Sequence, residues 1–276
     1  MVASTTTANE LIQEQVASIL VQPLEAASVV LSSGPRIFDS SEPLRIPRLV
    51  SGFTPAFVAE NAEIPESDAD FGELTLMPSD RKGIKALTRF SNELLRQSHV
   101  SLDAVLKARL VTDVSNALDD ALLKGAGTTK SITGIINQTG AQTGVLDASD
   151  PDSLLDALAL ASAAEVTPNR WFLSGADFYS LRKLKDADGH YILQSDVSAD
   201  TAHRLFGVPV TVTNKLPAGK AVLADMSQVA VVRDIAPSVT ILNERYAEFD
   251  QSAIRVTTRY DLGLLHPEGV VVLTAA

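Results

Sequence analysis

The longest regular pattern of apolar positions lies near the middle of the chain, between residues 102 and 124. Apolar side chains recur there at every fourth position: Leu102, Leu106, Leu110, Val114, Leu118 and Leu122. This spacing predicts one amphipathic α-helix, because residues four apart share a helix face. Ser101 suits its N-cap, and Lys124 followed by Gly125 suits its C-terminal end. Such a helix would be about 35 Å long, so we expect a spine along which other elements pack.

The chain before this helix divides into an N-terminal arm and a β-rich stretch. Apolar residues at helical spacing between positions 11 and 20 predict a short helix. This helix could be part of an arm, or it could be an ordinary N-terminal helix that packs on the core of its own chain. The spacing fits both equally well. Residues 29–31 predict a short strand, followed by a turn at 32–35. From 44 to 90 the alternation of apolar and polar residues predicts a long two-stranded hairpin or extended loop.

Charges separate along this predicted hairpin. One limb carries acidic residues, Glu60, Glu63, Glu66, Asp68, Asp70 and Glu73; the other carries basic residues, Arg81, Lys82, Lys85 and Arg89. Because an isolated hairpin has no face to bury, it needs a partner surface, which another subunit could supply. Alternatively, the two limbs pair with each other as exposed ion pairs of little energy.

A second, α/β body is predicted between residues 150 and 238. It contains helices over 150–164 and 177–184 and strands at 171–173, 208–212, 221–223 and 229–232. Alternating positions at 239–241 and 254–256 and an apolar strand at 269–273 complete the chain. The segment 125–131, GAGTTKS, lacks the Gly directly before Lys of a phosphate loop and follows a helix, so it predicts a glycine-rich connector.

Composition narrows the functional classes. The chain has 276 residues, 45% of them apolar, which is enough for a proper core. Its net charge of -11 argues against a nucleic-acid-binding surface, and the absence of Cys excludes disulfides, thiolate metal sites and a Cys nucleophile. The N-terminus lacks a signal-peptide pattern and no window approaches the ~20 apolar residues of a membrane span, so we expect a soluble, non-exported chain.

Catalytic and metal-binding patterns are sparse. The four histidines are far apart in sequence, with no HExxH motif and no GxSxG motif around any serine. Asp68 and Asp70 lack the Gly and distal Glu of a calcium loop, and Asp186 and Asp188 suit a solvated turn. We therefore expect no catalytic residue, metal or cofactor. The alternative from another functional class is an enzyme, a metal-dependent α/β enzyme that uses Asp186 and Asp188.

The order of five motifs resembles the major capsid proteins of tailed bacteriophages with the Hong Kong 97 fold. The motifs are FVAE with PESDADF at 57–71, SNELL at 91–95, LKGAGT with ITGI at 123–135, LRKLKDADGHYI at 181–192 and LFGVPV at 205–210. Arg259, Tyr260, Asp261, His266 and Pro267 fit the closing strands of that family. Encapsulin nanocompartments are similar shells, but the glycine loop and the LKDxxG motif favour a virion.

The resemblance implies an α+β fold divided into seven segments. These are an N-terminal arm (1–35), peripheral-domain strands (36–51), an extended loop (52–89), the peripheral domain with the spine helix (90–137), the axial domain (138–238), further peripheral strands (239–260) and a closing axial strand (261–276). It also implies a shell of hexamers and pentamers that encloses double-stranded DNA, first as a procapsid and then after expansion. An acidic shell would repel the packaged genome.

For assembly we expect the acidic limb to pair with basic residues of a neighbouring copy. The candidate contacts are Glu60, Glu63, Glu66, Asp68, Asp70, Arg81, Lys82 and Arg109. Some relatives join subunits by a Lys-to-Asn isopeptide bond assisted by a Glu, whereas this chain has Ile64, Asp250 and Thr257 at those positions. The resemblance therefore implies a shell without this cross-link.

Further partners follow from the same resemblance. Many relatives begin with a long scaffolding extension that a protease removes, whereas the arm here starts almost at once. Either a separate scaffolding protein acts, or this sequence is a mature or naturally short form. A portal and decoration proteins would complete the virion, which would be assembled in the bacterial cytoplasm without a membrane.

Overall fold

The computed structural model describes residues 28–51, 57–58, 70–77, 82–91, 102–186, 188–192 and 203–275. Three α-helices lie in these ranges: α1 (Leu102–Lys124), α2 (Asp152–Ala163) and α3 (Gly175–Arg182). The strands there are β1 (Arg36–Asp39), β2 (Leu44–Ser51), β3 (Asp70–Leu76), β4 (Ile84–Ser91), β5 (Gln142–Leu146), β6 (Arg170–Leu173), β7 (Arg204–Leu205), β8 (Val208–Val212), β9 (Lys220–Ala224), β10 (Val229–Tyr246), β11 (Gln251–Leu264) and β12 (Val270–Ala275). Among the described residues, no helix combines the length and apolarity needed to cross a membrane.

The predicted spine helix is confirmed, with the predicted bounds. α1 runs over Leu102–Lys124, and Val114, Leu118 and Leu122 of its apolar stripe are buried. Since a stripe of residues four apart covers one helix face, this burial fixes which side of α1 meets the core. The N-cap predicted at residue 101 lies outside the described residues.

A four-stranded sheet with the order β1-β10-β11-β4 packs against α1. β10 is parallel to β1 and antiparallel to β11, and β11 is antiparallel to β4. Ile254 and Val256 of β11 are buried in the same cluster as Leu118 and Leu122 of α1. The strand predicted at 229–232 is the beginning of β10, so the boundary expected at residue 238 falls inside one continuous strand of this sheet.

A six-stranded sheet with the order β5-β12-β9-β6-β8-β7 carries apolar side chains on both faces. Phe172 and Val222 point into the cluster shared with α1, whereas Trp171 and Leu223 point into a second cluster beneath α2 and α3. Neighbouring residues of a strand face opposite sides, so a sheet buried on both faces needs continuous apolar runs. The strands predicted at 171–173, 208–212, 221–223 and 269–273 are all found here; the sequence pattern does not predict β5 or the two-residue β7.

One local prediction is wrong and another is confirmed only in part. Residues 29–31 do not form a strand, because the chain turns into a short 3-10 helix at Leu31–Ser33. The stretch 44–90 does contain a two-stranded antiparallel pair, which joins β2 to β3. The acidic and basic limbs do not pair with each other in the described residues, because β4 pairs with β11 instead. Ile84 of β4 is partly buried and packs against the α1 cluster, a contact that a free hairpin would lack.

Candidate assembly surfaces

The glycine-rich connector after α1 is a tightly packed helix stop. The backbone N–H of Gly134 donates to the carbonyl of Gly125 at 2.8 Å, and the Asn137 side-chain amide donates to the carbonyls of Lys124 and Gly125. A Cβ on Gly125 would collide with the carbonyl oxygens of Ala121 and Ile132. The motif LKGAGT with ITGI therefore has a packing role, and the connector prediction is confirmed.

The motif LFGVPV forms a two-residue hairpin between β7 and β8. Phe206 and Gly207 both have positive φ angles, 49° and 84°, which is the backbone of a turn that matches the twist of antiparallel strands. This conformation leaves the Phe206 ring 41% exposed at the end of the six-stranded sheet. The turn thus presents an aromatic side chain to solvent.

The turn 186–190 holds the residues of the alternative metal site. Oδ1 of Asp186 accepts the backbone N–H groups of Asp188 and His190 at 3.0 and 2.8 Å, and Oδ2 lies 3.4 Å from Nδ1 of His190. Ligand atoms of the three side chains come within 4.8 Å of one another, and all three residues are exposed. The Asp186 carboxylate thus closes the turn by accepting two backbone N–H groups.

Most of the predicted loop contacts fall outside the described residues. Glu60, Glu63, Glu66, Asp68 and Arg81 lie there, as does Ile64, and of Asp70 only the backbone at the beginning of β3 is described.

Two predicted contacts are described with their side chains. Lys82 lines a pocket with Leu74, Met77 and Tyr260. Nε of Arg109 lies 3.1 Å from the Asp113 carboxylate one helical turn away, so this cation already has a partner in its own chain.

Two of the three cross-link positions are described. Asp250 lies exposed in the turn between β10 and β11 with a φ of 46°, and Thr257 lies in β11 opposite Ser238 and Lys85. Asp250 carries a carboxylate and Thr257 a hydroxyl, so neither side chain is the Lys, Asn or Glu of the Lys-to-Asn cross-link. The absence of that cross-link stays a prediction.

Asp119 on α1 is a buried acceptor that the sequence pattern did not reveal. Its carboxylate accepts the Ser28 hydroxyl at 2.6 Å, the Val29 N–H at 2.9 Å and the Val30 N–H at 3.2 Å, and only 2% of the residue is exposed. It thus caps, from about ninety positions away, the turn that leads into Leu31–Ser33.

Two further carboxylates tie the end of β3 and the strand β1 to the four-stranded sheet. Asp261 in β11 accepts the backbone N–H of Met77 at 2.7 Å, where the chain leaves β3. Asp39 in β1 forms a bidentate pair with Arg233 in β10, at 2.6 and 2.9 Å. The hydrogen bonds from Arg233 hold the pKa of Asp39 below its usual value.

Comparison with known proteins adds sequence and structural relatives. The model of the phage capsid family matches residues 8–275. The chain is 24% identical to the major capsid protein of Klebsiella oxytoca phage phiKO2 over 92% of its own length and 63% of the relative. It is 24% identical to the major capsid protein of Enterobacteria phage HK97 over 76% of its length, and spans 54% of that relative.

Two solved structures share the fold over nearly the whole chain. One, from Microbacterium phage Oxtober96, has a TM-score of 0.75 at 18% identity and covers 90% of this chain and 91% of its own. The other, the capsid of the native GTA particle, has a TM-score of 0.75 at 17% identity and covers 91% and 90%. The predicted α+β class with a Hong Kong 97-like architecture is confirmed.

Proposed function

The chain belongs to the phage capsid family, and we propose on this basis that it is a major capsid protein. Copies of it would self-assemble into hexamers and pentamers of an icosahedral shell that encloses the double-stranded DNA of a tailed bacteriophage. The observation that carries the proposal is the family match over residues 8–275, supported by a shared fold over about nine-tenths of the chain. Nothing in the comparisons favours an encapsulin or an enzyme.

The shell subunit works mechanically, through contacts between copies. We assign the four-stranded sheet and α1 to the peripheral domain, and the six-stranded sheet with α2 and α3 to the axial domain. Because β10 and β11 are continuous, residues 229–264 belong to the peripheral side in this assignment. The predicted extended loop (52–89) and arm (1–35) fall largely on residues outside the described ranges, and they stay predictions.

Charge pairing at the extended loop remains our proposal for one of these contacts. The acidic residues between positions 60 and 70 would face cations of a neighbouring copy. Of the candidates named, Arg109 is already paired with Asp113, which leaves Arg81 and Lys82 as the better partners. Exposed ion pairs are weak singly, so their role is to guide approach and register.

The other partners follow from the same proposal. We expect a scaffolding protein, a portal and decoration proteins to act with the shell, and assembly to take place in the host cytoplasm. The negative net charge keeps the shell from binding the DNA it encloses. We assign no catalytic residue, cofactor or metal.

Electron microscopy of the expressed chain, with absorbance of any particles at 260 and 280 nm, tests the proposal. Hollow or DNA-filled icosahedral particles are expected, with a co-expressed scaffolding protein if the chain alone does not close shells. A uniform population of monomers or dimers under the same conditions would contradict it.

A further inference from the structure

Two neighbouring cavities lie where the chain enters β4 of the four-stranded sheet. The larger cavity has a volume of about 210 Å³ and the smaller one a volume of about 70 Å³. Lys82, Ile132 and Tyr260 line both of them. Three parts of the chain therefore meet at this place: the residues before β4, the connector after α1, and β11.

The smaller cavity is cationic. Its charged lining residues are Lys82, which is half-buried, and Lys130, which is exposed, and no Asp or Glu lines it among the described residues. Ser131 also lines it, but its hydroxyl donates to the carbonyl of Ile132 at 3.2 Å. The two ammonium groups are therefore the charged donors that this cavity offers to a ligand.

The other walls of the smaller cavity are apolar or deeply buried. Leu118 of α1 is 0% exposed, Tyr260 of β11 is 4% exposed, and Ile132 is partly buried. Walls of low dielectric strengthen the attraction between a charge and its counter-ion, and they strengthen the repulsion between like charges as well. An anion between the two lysines would therefore be favourable for both reasons.

The described carboxylates nearby already have partners. Asp261 lines the larger cavity, where its two oxygens accept the N–H groups of Met77 at 2.7 Å and Leu262 at 2.9 Å. Asp120, which precedes the lining residue Ala121, pairs with Lys124 at 3.2 Å. The described residues around the cavity therefore leave the charges of its two lysines to an anion from outside the chain.

We propose that the lysine pocket, defined by Lys82, Lys130, Ile132 and Tyr260, binds a free phosphate ion. Phosphate carries more than one negative charge near neutral pH and has several strong acceptor oxygens, so one ion can accept from both ammonium groups. Lysine recognises phosphate as a point charge. The volume of the cavity has room for a few water molecules, which suits a small ion.

A bound phosphate would join two segments that are distant in sequence. Lys82 stands two positions before β4, and Lys130 lies in the connector that follows α1. An ion held by both would tie the strand that follows the predicted extended loop to the end of the spine helix. Because this arrangement exists only in the folded chain, phosphate should raise the unfolding temperature as its concentration rises.

Other oxyanions fit the lysine pocket less well. The phosphates of a nucleic acid belong to a polyanion, which a chain of net charge -11 repels. A carboxylate carries a single charge, whereas phosphate carries more. The proposed function places acidic residues of a neighbouring copy near Lys82, so a carboxylate is the competing ligand that the experiment must distinguish from phosphate.

Titration of unassembled full-length subunits with inorganic phosphate tests the proposal. Calorimetry at constant ionic strength should show saturable binding to a single site. Lys82→Gln and Lys130→Gln should each weaken it about tenfold, because each removes one charge-assisted hydrogen bond. Lys85→Gln is the matched control: Lys85 is exposed on β4 and lines neither cavity, so this variant should bind phosphate like the unmodified chain. Circular dichroism checks the fold, and Lys130→Gln carries the test if Lys82→Gln does not fold.

Hydrogen exchange locates the bound ion. In the connector the Ser131 N–H donates to the carbonyl of Thr128 at 3.2 Å, and the Gly127 N–H donates to the carbonyl of Ile132 at 3.0 Å. Phosphate should slow the exchange of these two amides in the unmodified chain and leave them unchanged in Lys130→Gln. The amides of α2, which lie in the other sheet's layer, should not respond.

Two competing ligands complete the test. Acetate at the same ionic strength should bind at least about tenfold more weakly than phosphate, and a short single-stranded DNA should not displace phosphate. Equal affinity for acetate would assign the pocket to a carboxylate, displacement by DNA would assign it to nucleic acid, and either result would overturn the proposal. So would the absence of saturable phosphate binding, or equal weakening by Lys85→Gln. Because the subunits are unassembled, none of these results depends on whether the chain forms shells.

Discussion

The buried carboxylate of Asp119 offers the most direct test of how the N-terminal segment is held. In Asp119→Ala the Ser28 hydroxyl and the N–H groups of Val29 and Val30 lose their acceptor inside the core. A buried donor left without a partner costs about 1–3 kcal/mol, and hydrogen bonds to charged groups contribute about 1.5–3 kcal/mol each.

The total loss is limited, because the segment can detach and hydrate its free donors. Detachment exposes Val30 and Leu31, which are 0% and 6% exposed and each contribute about 1.5–3 kcal/mol when buried. We therefore expect Asp119→Ala to lower the free energy of unfolding by about 3–5 kcal/mol. The isosteric Asp119→Asn keeps one acceptor oxygen at the site. It should therefore lower the free energy of unfolding less than Asp119→Ala does.

Urea unfolding of unassembled subunits measures the free energy, and hydrogen exchange measures the two amides directly. The Val29 and Val30 N–H groups should exchange much faster in Asp119→Ala. The backbone amides at the buried end of α1 should keep their protection. Asp120→Ala is the matched control, because Asp120 is 42% exposed and pairs with Lys124 one helical turn away, a surface pair of under ~1 kcal/mol. Equal stability of the two variants with unchanged exchange at Val29 and Val30 would refute the reasoning.

Four other predictions concern the connector, the β1–β10 pair and the shell. Gly134→Ala places a Cβ against the backbone of Leu123 and should cost about 1–3 kcal/mol in urea unfolding. The lowered pKa of Asp39 means that its pairing with Arg233 stabilises the fold above the usual Asp pKa and is lost as pH falls through the lowered value. Asp39→Asn should therefore flatten the fall in unfolding temperature on acidification, and an unchanged pH profile would contradict this. Reversing Glu63 and Glu66 to Lys should weaken particles without unfolding subunits, and salt-independent normal assembly would contradict it. Assembled shells should run as monomers on denaturing gels, and a covalent ladder would exclude our inference about cross-linking.

Elements set by local pattern could be predicted from the sequence. α1 was predicted with its bounds because its apolar stripe and its glycine end are both local features. β6, β8, β9 and β12 could also be predicted from their apolar runs, since strands buried on both faces are continuously apolar. β5 was missed because Gly144 interrupts a short strand whose register depends on β12, far along the chain.

Elements set by distant partners could not be predicted. Residues 29–31 have the apolar, β-branched composition of a strand, but Asp119 caps them into a turn from another part of the chain. β4 alternates like a hairpin limb, yet it joins β11 because that strand offers a complete ladder and a buried face.

Whether this chain builds a closed shell is decided by a cryo-electron microscopy reconstruction of the purified particles. We expect icosahedral particles whose subunit density fits the four-stranded sheet with α1 and the six-stranded sheet with α2 and α3. Particles absent under every assembly condition, or a reconstruction in which another protein forms the shell, would contradict the assignment of this chain as the shell subunit.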